Sequence, residues 1–194
     1  MSARLSHRFE EALVYATRLH VDQLRKGTDI PYISHLLAVA SLVMEAGGGE
    51  DEAIAALLHD GPEDQGGLET LDDIRVRFGK RVADIVAACS DTFESEKPPW
   101  KARKQAYLDH LLTADDATRL VSCADKLHNA RAILSDYRRL GEPLWQRFNA
   151  GREDILWYYT ELVRIFTANG PVSLADELAR VVGYLEYEIA SKPA

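Results

Sequence analysis

The sequence predicts an all-α, single-domain helical bundle. Apolar residues recur at spacings of three and four along almost all of the 194 residues, the period of a helix face packed on a core. No segment shows the apolar/polar alternation of a half-buried strand. Neither an internal repeat nor a low-complexity linker divides the chain, and its length suits one domain with a real core.

The elements follow in order. Phe9, Leu13, Ala16 and Leu19 form a first stripe, Leu36, Val39, Ala40 and Val43 a second, and Ile54, Leu57 and Leu58 a third, with Gly47-Gly48-Gly49 ending the helix before it. Ile74, Phe78, Val82, Ile85 and Val86 continue the pattern across Gly79, a natural break between two helices. Thr70 with Asp73 reads as a capping pair. Further stripes are Leu108, Leu111 and Leu112, then Leu120, Val121, Ala124, Leu127 and Ile133. The last two helices carry Leu156, Tyr159, Leu162, Val163 and Phe166, then Leu174, Leu178, Val181, Val182, Leu185 and Ile189. Asn169-Gly170-Pro171 is the stop between them, and Ser173 is placed to cap the last helix, expected over 173–190. Two polar loops stand out, Arg25 to Ile33 and Thr92 to Trp100.

Composition limits the function. Hydrophobic residues make up 46% and charged residues 28%, an ordinary globular balance, and the formal net charge is -8. Such a chain is a poor non-specific nucleic-acid binder, because phosphate affinity comes from Lys and Arg. No apolar run approaches a membrane span, and the N-terminus lacks a secretory signal, so a cytoplasmic location is expected. Cys89 and Cys123 stand apart from any CxxC or Cys/His cluster and read as two reduced core thiols.

The chemistry concentrates in Ala55-Ala56-Leu57-Leu58-His59-Asp60-Gly61-Pro62-Glu63-Asp64. An apolar helix delivers His59 and Asp60 at its end, and imidazole nitrogen with carboxylate oxygen suits a divalent cation. Two ligands do not make a site, so the rest must come from other helices. His35 follows Pro31-Tyr32-Ile33-Ser34, where the second helix begins. Asp125 lies in Cys123-Ala124-Asp125-Lys126-Leu127-His128-Asn129, with Asn129 four residues on and able to face the same cleft. If the backbone stays helical past His59, Glu63 and Asp64 fall on the side of His59 and Asp60. Pro62 works against that by removing a donor.

With these pieces in this order the chain resembles the HD superfamily. Within it the chain is similar to the alarmone hydrolases, both the hydrolase domain of RelA/SpoT proteins and the small stand-alone versions that include the metazoan SpoT homologue. The resemblance runs from about Ala12 to about Phe166 and rests on Arg25-Lys26, Pro31 to His35, Leu57 to Asp60 with Glu63-Asp64, and Ala124 to Asn129 with Arg131. It implies an HD-type bundle holding one manganese ion on His35, His59, Asp60 and Asp125, with Glu63 and Asp64 orienting and deprotonating the attacking water. It implies that Arg25, Lys26 and Asn129 line a nucleotide pocket, and that the reaction removes the 3′-pyrophosphate of (p)ppGpp. The adenine relative (p)ppApp, NADPH and nucleoside monophosphates stay open as substrates. So does a nucleotide-sensing module without activity.

A polyanion needs cations. Lys126 and Arg131 flank Asn129, and Lys97, Lys101, Arg103 and Lys104 form either a basic rim or the solvated face of a helix. His7, His20 and His110 fall on polar faces and read as surface residues, whereas His128, three past Asp125, suits packing behind the site. The interval between the His-Asp pair and Asp125 holds only His110, which favours one metal and hydrolysis over the dinuclear HD chemistry that recruits extra histidines. The residues after Phe166 are too few for a synthetase or regulatory domain. Trp157, Tyr158 and Tyr159 suit core packing better than a subunit contact. A homo-oligomer stays possible.

Overall fold

Ala53 to Leu58 are buried one after another, so the helix that carries them is enclosed on every side. This helix, α3 (Glu50–Leu58), follows α1 (His7–Leu19) and α2 (Ile33–Glu45). It packs against both of them and against two later helices, α6 (Lys80–Cys89) and α8 (Asp116–Leu140). Its small residues Ala53, Ala55 and Ala56 let these neighbours approach, while Ile54, Leu57 and Leu58 fill the space between them. A buried leucine here is worth about 1.5–3 kcal/mol of apolar transfer.

The computed structural model of the chain describes residues 4–91 and 98–191. Among these the architecture is one all-α bundle, with a single isolated bridge between Leu24 and Pro31 and no strand. Between α3 and α6 run a single turn, α4 (Gly61–Asp64), and α5 (Gly67–Phe78). After α6 come α7 (Trp100–Thr113), the 25-residue α8, a 3-10 turn (Glu142–Arg147), α9 (Arg152–Asn169) and α10 (Val172–Ser191). α10 packs on α8 and α9, so the last helix closes the bundle rather than trailing from it.

Most of the apolar stripes meet in one core, and Gly79 separates α5 from α6 with φ at 93°, a conformation glycine adopts without strain. Three local expectations are corrected. Thr70 does not cap a helix start: α5 begins at Gly67, and the Thr70 hydroxyl donates to the Gln65 carbonyl from inside its first turns. Ser173 lies within α10, whose first turn is entered from Pro171. Leu112 faces out. The first two share a cause: glycine and proline set these helix starts by backbone conformation. The expected loop residues 92–97, Lys97 included, lie outside the described residues.

Candidate metal centre and substrate cleft

The enclosed helix α3 sets the site. His59 and Asp60 follow its last residue and keep right-handed helical backbone, at φ −60° and −90°. Pro62 then occupies the start of a new turn, where its missing N–H costs nothing, and Asp64 N–H bonds the Asp60 carbonyl at 2.9 Å. The chain therefore continues helically through Pro62, and Glu63 and Asp64 follow the His-Asp pair within one turn.

His35 enters from the start of α2 and Asp125 from the middle of α8. The side chains of His35, His59 and Asp125 are buried, and one ligand atom from each falls within 4.8 Å of the others. Asp60 joins from the side, its Oδ2 at 3.4 Å from His35 Nε2 and 3.1 Å from His59 Nε2. Asp125 Oδ1 lies 3.2 and 3.6 Å from the same two nitrogens. Among the described residues, neither of these buried Nε2 atoms has a hydrogen-bond partner. Buried polar atoms without partners are rare and costly. Two of them aimed at two carboxylates form a donor set that fits a divalent cation of the zinc or manganese type.

A surrounding contact sets the tautomer of His59. His59 Nδ1 lies 2.9 Å from the Ala56 carbonyl, which can only accept, so the proton sits on Nδ1 and a neutral ring leaves a lone pair on Nε2. His35 Nδ1 lies 2.7 Å from His128 Nδ1. Burial, with His35 and Arg25 nearby, pushes the His128 pKa down to about 4. His128 thus stays neutral, with its Nδ1 against that of His35. Burial opposes charge on His59, yet Asp60 and Asp125 overcome it and hold its pKa well above the ordinary range. Burial likewise opposes the two carboxylates, but His59 and His35 on Asp60, and Lys126 with the same histidines on Asp125, hold both well below theirs. The two carboxylates draw positive charge to the histidine nitrogens, and a proton and a metal compete for the same lone pairs.

An outer ring of donors fixes the carboxylates. The Tyr32 hydroxyl donates to Asp60 Oδ2 at 2.6 Å, Asn129 Nδ2 to Asp125 Oδ1 at 2.6 Å, and Lys126 Nζ to Asp125 Oδ2 at 2.6 Å. Burial and the neighbouring acids push the Tyr32 phenol far above its ordinary range, so it remains a donor. Arg25 Nη2 donates to Asn129 Oδ1 at 2.6 Å, and the Arg25 guanidinium carbon lies 5.5 Å from the Tyr32 ring centre.

A cleft of about 690 Å³ runs beside this centre, lined by Tyr32, Lys126, His128 and Asn129, which touch the ligands, and by Arg25, Lys26 and Asp64. Asp64 accepts from Gln23 Nε2 at 2.8 Å, and burial with Asp60 nearby raises its pKa. Glu63 Oε2 accepts the Asp91 N–H at 3.3 Å. The basic cluster of α7 divides. Lys101 is exposed and pairs with Asp154, whereas Arg103 and Lys104 turn inward onto Asp91, and Lys104 reaches the cleft. Arg131 points away and pairs with Glu177 of α10.

Sequence reasoning missed several of these roles. His20, expected on the surface, is buried, stacked on Tyr32 and bonded to Gln23. Its helix face is polar, and the turn that follows brings Gln23 and Tyr32 against it. Tyr158 and Tyr159 are buried as expected, but they also line the cleft. Tyr32 stood in the motif beside His35 and was legible there. Arg147 and Asp91 carried no local signal.

Fold and site define the class, and the comparisons agree. The chain belongs to the HD-domain family, whose model matches residues 12–156, and its class is that of a metal-dependent HD phosphohydrolase. Among its relatives, the guanosine-3′,5′-bis(diphosphate) 3′-pyrophosphohydrolase MESH1 of Xenopus tropicalis is 37% identical over 126 residues, 63% of this chain and 68% of that one. A solved structure from Listeria monocytogenes EGD-e is 31% identical, with a TM-score of 0.67 over 78% of this chain and 97% of that one. The fold is also that of a metazoan SpoT orthologue described as hydrolysing ppGpp, with a TM-score of 0.73, 23% identity, and coverage of 92% and 95%.

Proposed function

We propose that this chain removes the 3′-pyrophosphate of (p)ppGpp or (p)ppApp, releasing pyrophosphate and the nucleoside di- or triphosphate. The observation that carries the reading is charge. In a chain of net charge -8, the cleft that runs beside the His/Asp cluster is lined by Arg25 and Lys26. Among the described residues their side chains are bonded only to the neutral amides of Asn129 and Asn149. Two cations without a carboxylate partner beside a metal pocket suit a ligand that carries several phosphates.

His35, His59, Asp60 and Asp125 would hold the ion, here taken as manganese. A bound divalent ion acidifies its water and neutralises charge on phosphoryl oxygens. Asp64, held by Gln23 and with its carboxyl above the ordinary range, is suited to take the proton of the attacking water, with Glu63 beside it. The oxygen of that water adds to the inner phosphorus of the 3′ group. The bond from that phosphorus to the ribose 3′ oxygen breaks, and the 3′ oxygen leaves with a proton. Lys126 contributes through Asp125, since its head is committed there. Arg25, Lys26 and Asn129 bind and orient the nucleotide. The names of the relatives point to the same substrate class.

The test is pyrophosphate release from ppGpp and ppApp, with manganese and with chelator, beside phosphate release from NADPH and from a nucleoside monophosphate. Metal-dependent pyrophosphate is expected. Phosphate from NADPH or the monophosphate alone would overturn the alarmone reading while keeping the centre.

A further inference from the structure

We propose that the outer end of the cleft is a second anion subsite, built by Arg147 and Lys26, which takes phosphate carried on the end of the nucleotide opposite the bond that breaks. The inference rests on the nucleotide reading above. The subsite's two side chains come from two loops, and among the described residues they bond Asn149 and Asp136 rather than a metal ligand.

Arg147 ends the 3-10 turn and lines the cleft with a side chain only 24% exposed. Two contacts pin it. Its Nη1 donates to Asp136 Oδ2 at 3.1 Å. Its stem lies against Gly27, where an added Cβ would come within 2.9 Å of Arg147 Cδ. Gly27 also has φ at +71°, so both backbone and space favour glycine there. The neighbouring loop residue Lys26 reaches Asn149, two residues past Arg147, at 3.3 Å. The two loops therefore bring two cations together on one stretch of the cleft wall.

That stretch is far from the metal centre. Asp136 follows Asp125 by eleven residues on α8, about 16 Å along the helix. Ile133, Leu144, Phe148 and Ile155 line the cleft as well and supply apolar wall. The charge at the outer end is not cancelled. Asp136 is shared between Arg147 and Arg139, whose Nη2 donates to Oδ1 at 2.8 Å, and Lys26 has a neutral partner. One carboxylate thus faces two guanidinium groups, with an ammonium nearby. Arg147 commits one N–H direction to Asp136, and a guanidinium carries five donors in a fixed fork. A pinned fork with donors to spare suits a phosphate group. A cleft with an anion-binding feature at each end and apolar wall available to a base and sugar selects a nucleoside phosphorylated on both its 3′ and 5′ oxygens.

The experiment is calorimetric titration of the manganese-loaded full chain with two ligand pairs. These are guanosine 3′,5′-bisphosphate against guanosine 3′-monophosphate, and the adenosine pair. In the wild type the added 5′-phosphate is expected to tighten binding about tenfold or more in at least one pair. Arg147→Met, which keeps a stem against Gly27, is expected to erase that gain and leave 3′-monophosphate binding unchanged. Lys26→Met is expected to remove part of it. The proposal is overturned if the wild type shows no gain in either pair, if it binds neither pair, or if Arg147→Met weakens both members of a pair alike. Turnover of ppGpp and ppApp, measured separately, distinguishes the two readings. A 5′-phosphate gain without turnover removes the hydrolase assignment and keeps the subsite, and turnover without the gain does the reverse.

Discussion

The inner and outer ends of the cleft are built by different means. At the inner end His35, His59 and Asp125 project from or beside long helices, are at most 5% exposed, and have their distal atoms tied to fixed partners. At the outer end Lys26 and Arg147 project from a loop and a short turn, on long side chains with neutral or shared partners. A rigid, fully partnered frame around two unsatisfied nitrogens is a device for holding a cation in one geometry. Long cations on loops, with donors left over, are a device for choosing what reaches it. The division predicts that changes inside abolish chemistry and changes outside grade substrate affinity.

The largest effect should come from Asp125→Asn. The isosteric amide keeps the packing but removes the charge that faces both histidines and Lys126. Loss of bound manganese is expected by elemental analysis, and turnover should fall at least about a thousandfold, or roughly 4 kcal/mol of barrier. The same change leaves Lys126, 12% exposed, without its anion, which costs about 3–5 kcal/mol for a truly buried charge and less here. A melting curve beside the metal analysis separates the two losses. Retained metal and retained turnover would break the comparison at its strongest point.

Next in size are Glu63→Gln and Asp64→Asn. Neither belongs to the close trio, so both variants should keep their metal while kcat falls by about 10²–10⁴. A variant that lost metal instead would move that carboxylate into the inner frame. Tyr32→Phe should do less. It removes the donor to Asp60 Oδ2 and little volume, and outer contacts of this kind are worth about 10–100-fold in metal affinity. Manganese titration followed by calorimetry reads this directly. An unchanged affinity would show that Asp60 is held without the phenol.

The two ends also differed in how legible they were. His35, His59, Asp60 and Asp125 were named as ligands from their order along the chain and the family resemblance it carries, and the structure brings His35, His59 and Asp125 together with Asp60 beside them. Gly79 and Gly170 were legible as breaks between apolar stripes. What escaped was decided in three dimensions. His20 is buried where Gln23 and Tyr32 lie against it, and Arg147 acquires its place only when Gly27 from a loop 120 residues earlier lies against its stem. The division of Lys101 from Arg103 and Lys104 was a question of helix phase, and the single carboxylate of Asp91 answers it. Pro62 looked like an obstacle and proved to be an N-terminal turn residue, because the chain had already ended one hydrogen-bonded run at His59.

The smallest effect lies at the outer end. Among the described residues Lys26 bonds the amide oxygen of Asn149 at 3.3 Å and no metal ligand. Lys26→Ala removes a partly solvated charge, so about 1 kcal/mol of binding is at stake, or roughly fivefold in KM, with kcat and metal content unchanged. Because the loss is electrostatic and exposed, raising salt from low to physiological strength should shrink the difference between wild type and variant, as the Debye length falls to about 8 Å. Steady-state kinetics at two salt concentrations measures both points. A fall in kcat at constant KM would mean that Lys26 acts on the reacting phosphate, and the separation of a chemical end from a selecting end would then fail at the residue where it is drawn most sharply.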